Sequence, residues 1–225
     1  MTTMITPTLA ISMRRPGPRL RKFLMSIALL VAMGGQTVYA DDAADTSREA
    51  ILSDPATPVA GNPRGDLTIV VFFDYNCPYC KKSEPDLERL VKADGKIRLV
   101  FKDWPILTEA SVTGAQLALA ARYQGKYDAA RNAMMSIPGL KIPADQMRAA
   151  VAAAGVDMDR LDADLNTHGE EITALLRRNL AQAESIGLQG TPGYLVGPYR
   201  VTVALNYDGF KRAVADARAL AAKSK

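Results

Sequence analysis

LTIVVFFDYNCPYCKKSEPDLERLVKADGKIRLVFKDW, Leu67 to Trp104, is the stretch on which the fold turns. Leu67 to Asp74 is β-branched and aromatic with no polar alternation after Thr68, the pattern of a strand buried on both faces. A helix opens at Cys77-Pro78, where proline is tolerated in the first turn, and Leu87, Leu90 and Val91 mark its apolar face as far as Ala93. Pro85 inside it predicts a kink. Asp94-Gly95 ends the helix, and Lys96 to Trp104 returns as a second strand. Strand, helix and strand in so short a span make a βαβ unit, so the two strands run parallel.

Outward from this unit the character changes. From Leu107 to Ile186 only helical patterns occur: Thr108 to Gln124, Lys126 to Ser136, Ala144 to Ala154, Asp157 to Asn166 and Gly169 to Ser185. Gly125, Pro138-Gly139, Pro143 and Gly155 mark breaks between them. GLQGTPGYLVG, Gly187 to Gly197, leads into a short strand, and Tyr199 to Ala204 reads as its hairpin partner. A final helix to Ala222 takes its cap from Asn206 or Asp208. On the other side, residues 41–66 are polar, then Pro/Gly-rich, and read as an N-terminal arm with a short helix around Thr46 to Leu52. The fold class is α/β: βαβ over 67–106, a helical insertion of about eighty residues over 107–186, then ββα over 187–225.

Residues 1–40 stand apart. Arg14, Arg15, Arg19, Arg21 and Lys22 precede the apolar run Phe23 to Gly34, and Val38-Tyr39-Ala40 follows, the layout of an export signal cut after Ala40. The run is shorter than the roughly 20 residues a membrane span needs. Its removal takes five of the 28 basic residues and none of the 24 acidic ones. The remaining chain is near neutral, with no footprint for nucleic acid.

Cys77 and Cys80 are the only two cysteines. A C-x-x-C pair serves as half of a metal site, as a staple, or as a redox couple. The staple reading is weak, because a loop this short constrains the unfolded chain little. A zinc site wants about four ligands, and only His168, read as a surface residue near a helix end, adds a soft donor; a two-coordinate Cu(I) on the thiolates stays open. The redox reading follows from position. A helix starting at the first cysteine aims unpaired N–H groups and the positive dipole end at its sulfur, which lowers its pKa. Cys77 is therefore the attacking thiol and Cys80, one turn on, the resolving one.

FFDYNCPYC at a strand-to-helix turn, the helical insertion, and GTPGY before a late hairpin resemble the DsbA-like branch of the thioredoxin superfamily. GNPRGDLTIVVFFDYNCPYCKKSEPDLERL and FKDWPIL resemble the exported oxidoreductases of the ScsC type, over roughly Ile51 to Ala222. The resemblance implies a thioredoxin fold in which Pro78 and Tyr79 tune the cysteine pair and cis-Pro192, with Thr191 before it, lines the substrate strand. It implies a periplasmic enzyme that needs no cofactor, acts on protein thiols and disulfides, and is reset by an inner-membrane redox partner. Tyr79 between the cysteines and Thr191 before the proline point away from a strong oxidant, so isomerase or reductase is favoured over oxidase. The alternative is a Cu(I)-binding, copper-tolerance protein using the same pair. With few helical turns before the first strand, a monomer is expected. One position departs from the pattern: relatives carry a buried acid six residues before the first cysteine, where this chain has Val71. Lys102 fits that acid's usual companion, and Asp74 or Asp103 stand as other proton acceptors for Cys80.

Overall fold

The computed structural model describes residues 44–223; the export signal read in residues 1–40 lies outside them. Among the described residues, seven helices surround a five-stranded sheet. In chain order they are α1 (Arg48–Ser53), β1 (Val59–Gly61), β2 (Leu67–Phe73), α2 (Pro78–Asp94), β3 (Ile97–Asp103), α3 (Glu109–Ala121), α4 (Tyr127–Met135), α5 (Ala144–Ala153), α6 (Met158–Ser185), β4 (Gly193–Val196), β5 (Tyr199–Val201) and α7 (Tyr207–Lys223). The sheet order is β1-β3-β2-β4-β5. β2 and β3 are parallel, and the other neighbouring pairs are antiparallel. The α/β expectation and the parallel βαβ unit hold.

The missing alternation in β2 and β3 has its cause in two covered faces. Ile69, Val71 and Phe73 join Leu99 and Phe101 in a large core closed by α2, α7 and the helical block. Val70, Phe72 and Val100 point the other way, under Ile51 of α1, Trp104, Ala183 and Leu188. Each such side chain contributes roughly 1.5–3 kcal/mol by leaving water, so neither face is left open.

The structure departs from the sequence expectations in four places. The N-terminal arm is more than a lead-in, because Val59, Ala60 and Gly61 pair antiparallel with Val100, Leu99 and Arg98 and cover the β3 edge. The helices expected over Asp157 to Asn166 and Gly169 to Ser185 are one helix, α6. A glycine inside a helix costs about 1 kcal/mol, and here packing overrides that cost: Leu161, Ile172 and Leu175 are all buried along α6. His168 is consequently mid-helix rather than terminal, stacked on Tyr123 with ring centroids 3.8 Å apart and planes within 9°. The hairpin partner stops at Val201, three residues short. Pro85 lies within the continuous helix α2. Of the two candidate caps for α7, Asn206 serves, its Oδ1 accepting from Gly209 N at 2.9 Å.

Candidate active site

β2 ends at Phe73, and Asp74-Tyr75-Asn76 turn the chain so that Cys77 becomes the N-cap of α2. Cys77 is extended (φ −82°, ψ 115°), and Pro78 takes the first helical position, where no N–H is needed. The Cys77 sulfur plays the part of a capping oxygen: Cys80 N donates to it at 3.2 Å. Cys77 N in turn donates to Asp74 O at 3.1 Å. Both cysteines are free thiols and buried, whereas Pro78 and Tyr79 between them are exposed, Tyr79 to 64%.

A second group reaches Cys77 from far along the chain. Its thiol donates to the Thr191 carbonyl at 3.2 Å, and the Thr191-Pro192 bond is cis. All six site residues expected from the sequence, Cys77, Pro78, Tyr79, Cys80, Thr191 and Pro192, thus lie in one place. The Cys80 thiol is the largest influence holding Cys77 down, to about 6; the Thr191 side chain and the N–H groups of Cys80 and Tyr79 add to it, against an opposing push from burial. Cys80, deeper, is pushed well above the ordinary thiol range, first by burial and then by its bond to Cys77 and the neighbouring charge. One sulfur is prepared to attack near neutral pH and the other to keep its proton.

The candidate proton acceptors separate by strand geometry. Val71 pairs with Phe101 and Tyr194 in the core that also holds both cysteines. Lys102 lies beside Phe72, on the opposite face, because neighbouring residues of a strand alternate. Its Nζ donates to Thr57 Oγ1 at 3.0 Å, so the expected companion role is corrected: Lys102 turns away from the cysteines. Asp103, in register with Phe73, accepts from Tyr75 Oη and Tyr127 Oη, both at 2.8 Å. Burial raises it to about 7 despite those two bonds.

Asp74 is fully engaged. Its Oδ1 accepts from Asn76 N and Ser111 Oγ, both at 2.7 Å, and its Oδ2 from Ile106 N at 2.8 Å and Leu107 N at 2.9 Å. Asn76 continues the stitching: Nδ2 donates to Thr108 Oγ1 (2.9 Å) and Ile142 O (3.2 Å), and Oδ1 accepts from Ile142 N (2.6 Å). Lys81 Nζ donates to Ile137 O at 2.7 Å. Sequence reasoning passed over Asn76 and Lys81. The available signal was Asp74 two residues before Asn76, the spacing of an Asx turn.

The profile of the thioredoxin family matches residues 53–216. The chain belongs to that family. Among solved structures it is similar to a thioredoxin-like oxidoreductase from Silicibacter pomeroyi DSS-3, at 39% identity over 77% of this chain and 98% of that one, with a TM-score of 0.72. A periplasmic thioredoxin-like protein from Salmonella enterica serovar Typhimurium is 29% identical over 76% and 95%, with a TM-score of 0.66. The catalytic domain of Proteus mirabilis ScsC is 25% identical over 76% and 94%, with a TM-score of 0.65. The resemblance to DsbA-like and ScsC-type thiol–disulfide oxidoreductases therefore holds at the level of structure. The chain spans about a quarter of the length of the curated relatives it matches. The first of these, a Na(+)/H(+) antiporter NhaA 3 from Salinispora tropica, is 27% identical over 157 residues, 64% of this chain and 23% of that protein.

Proposed function

We propose that the chain is an exported thiol–disulfide oxidoreductase acting on protein substrates, and that it works as a reductase or isomerase rather than as a strong oxidant. The observation that carries this is the Cys77 sulfur at the start of α2, accepting Cys80 N–H and touching the Thr191 carbonyl beside cis-Pro192. Export is supported by the pattern of residues 1–40 and by the likeness to a periplasmic protein.

In the reducing direction, the Cys77 thiolate attacks one sulfur of a substrate disulfide. That S–S bond breaks, the departing sulfur leaves with the electron pair and takes a proton, and Cys77 is joined to the substrate. Cys80 then loses its proton and attacks the Cys77 sulfur; the mixed disulfide breaks and the second substrate thiol leaves. Two electrons pass from the pair to the substrate, and the reverse sequence delivers a disulfide. In this reading the pair is reset by an inner-membrane redox partner. Net reduction requires one that supplies two electrons per turnover.

The direction is supported by Cys77 at about 6, nearer to the roughly 7 of thioredoxin than to the roughly 3.5 of DsbA. A more acidic thiol stabilises the reduced state more and makes a stronger oxidant. Beside the pair a groove of about 650 Å³ is lined by Tyr79, Pro192, Thr202, Val203 and Leu205; it leaves room for an extended substrate segment. The test is the reduction potential of the pair, by equilibration in glutathione buffers with thiol trapping. A value at or below about −200 mV supports the reading, and one near the roughly −120 mV of DsbA overturns the direction.

A further inference from the structure

Cys80 attacks only after losing its proton, yet it is 2% exposed and its thiol is held well above the ordinary range. That proton needs a way out through packed protein. The two buried aspartates on the cysteine side of the sheet are committed elsewhere. Both oxygens of Asp74 hold hydrogen bonds, and Asp103 is taken by the phenols of Tyr75 and Tyr127.

Two buried hydroxyls that the reaction above leaves unused stand closer to the resolving thiol. Ser83 follows Cys80 by three residues in α2, so the two share a face of the helix, with Cβ atoms about 5–6 Å apart. Tyr194 of β4 pairs with Val71, and its ring enters the core that holds both cysteines, edge-on to Phe210. Tyr194 Oη donates to Ser83 Oγ at 2.9 Å, and Ser83 Oγ donates to Leu205 O at 2.5 Å. Among the described residues nothing donates to Tyr194 Oη, so the chain of hydroxyls begins with open lone pairs. Burial raises the Tyr194 phenol above its ordinary value; the Ser83 bond opposes this, and charge on Cys80 and then on Cys77 adds to it. The phenol is therefore within electrostatic reach of both sulfurs, and it stays neutral: it can pass a proton along but not hold a charge. At the other end Ser83, with Asp86, borders the groove of about 650 Å³ beside the pair.

We propose that Tyr194 and Ser83 form the outlet for the Cys80 proton when the mixed disulfide is resolved. As the Cys80 sulfur attacks the Cys77 sulfur, its proton passes to Tyr194 Oη, the phenol proton to Ser83 Oγ, and the Ser83 proton turns from Leu205 O to water in the groove. Each oxygen gains one proton and loses one. The electron pair left on the Cys80 sulfur forms the new S–S bond, and the substrate sulfur departs with the pair of the bond that breaks. This rests on the oxidoreductase reading above and assigns the proton of its second step.

The experiment mixes the reduced protein with excess oxidised glutathione, quenches with acid, and reads by mass the glutathione mixed disulfide on Cys77 and the closed Cys77–Cys80 disulfide. The two steps are thus timed separately. Tyr194→Phe, which removes a single oxygen, and Ser83→Ala leave the first step close to the wild-type rate. They slow the second by about a hundredfold, the low end of what a positioned proton transfer supplies, so the mixed disulfide accumulates. Because the hydroxyls act in series, the double variant is no slower than the slower single one. The proposal is overturned if Tyr194→Phe leaves the second step unchanged, if either variant slows both steps by the same factor, as loosened packing does, or if the two effects multiply in the double variant. Wild-type protein that forms no mixed disulfide with oxidised glutathione overturns the oxidoreductase reading itself, and the proposal with it.

Discussion

Replacing Cys80 by alanine removes the thiol that does most to hold Cys77 at about 6. A hydrogen bond to a charged acceptor is worth about 1.5–3 kcal/mol, and one pKa unit corresponds to about 1.36 kcal/mol. Loss of the bond therefore moves Cys77 up by about one to two units, to about 7–8. At pH 7 its thiolate fraction drops from about nine-tenths to between about a half and a tenth. Cys80→Ser keeps an O–H donor in the same place and holds the pKa close to its original value. With two cysteines in the chain, each variant carries only Cys77. The rate of its alkylation by iodoacetamide, followed from pH 4 to about pH 10, titrates that thiol directly. Indistinguishable midpoints for the alanine and serine variants would refute the reasoning, leaving the backbone N–H groups and the helix start to hold the thiolate alone. The same pKa governs stability. The folded value lies below the ordinary thiol value of 9.0, so the stability that Cys77 contributes to the reduced protein is lost as pH falls from about 9 through about 6, whereas the disulfide form, which has no thiolate, lacks that contribution.

Two buried groups away from the cysteines make further predictions. Asp103 is raised to about 7 by burial, so its contribution is fully present below the ordinary carboxylate value and is lost as pH rises through about 7. Asp103→Asn, neutral at every pH, flattens that decline, so its stability relative to wild type in urea unfolding improves from pH 5 to pH 8; an unchanged difference contradicts the assignment. Lys102 is lowered to about 8 by burial, so its charge is held in a dry site at pH 7. Lys102→Met, of similar volume, is expected to stabilise the fold by about 2 kcal/mol at pH 7, and the gain shrinks toward pH 10, where the folded lysine is already neutral. A destabilised Lys102→Met at pH 7 would mean that the bond to Thr57 outweighs the cost of burying the amine.

How much of this was legible in the sequence varies with the range of the interaction. β2 and β3 showed themselves as unbroken apolar runs, and α2 by its proline at the first position and Gly95 at its end, in the left-handed conformation (φ +69°) that glycine adopts freely. The different roles proposed for Cys77 and Cys80 rest on their places in one helical turn. β1 was hidden because three residues in a polar, Pro/Gly-rich arm carry no period, and only the open edge of β3 makes them a strand. The break expected near Gly169 was illegible for the same reason, since the cost of a glycine is local but the burial of Ile172 and Leu175 that outweighs it is not.

The site divides along the same line. Spacing, caps and helix polarity act within a few residues, so the chain by itself sets one thiol at a helix start and a second one turn behind it. Thr191 meets Cys77 across 114 positions, and Asn76 meets Ile142 across 66. Lys102 and Asp103 are adjacent in the chain yet face opposite sides of the sheet, and only Asp103 shares a face with the cysteines' core. These pairings depend on which strands lie side by side and in what register, so they exist only once the sheet has formed and the helical block has closed over it.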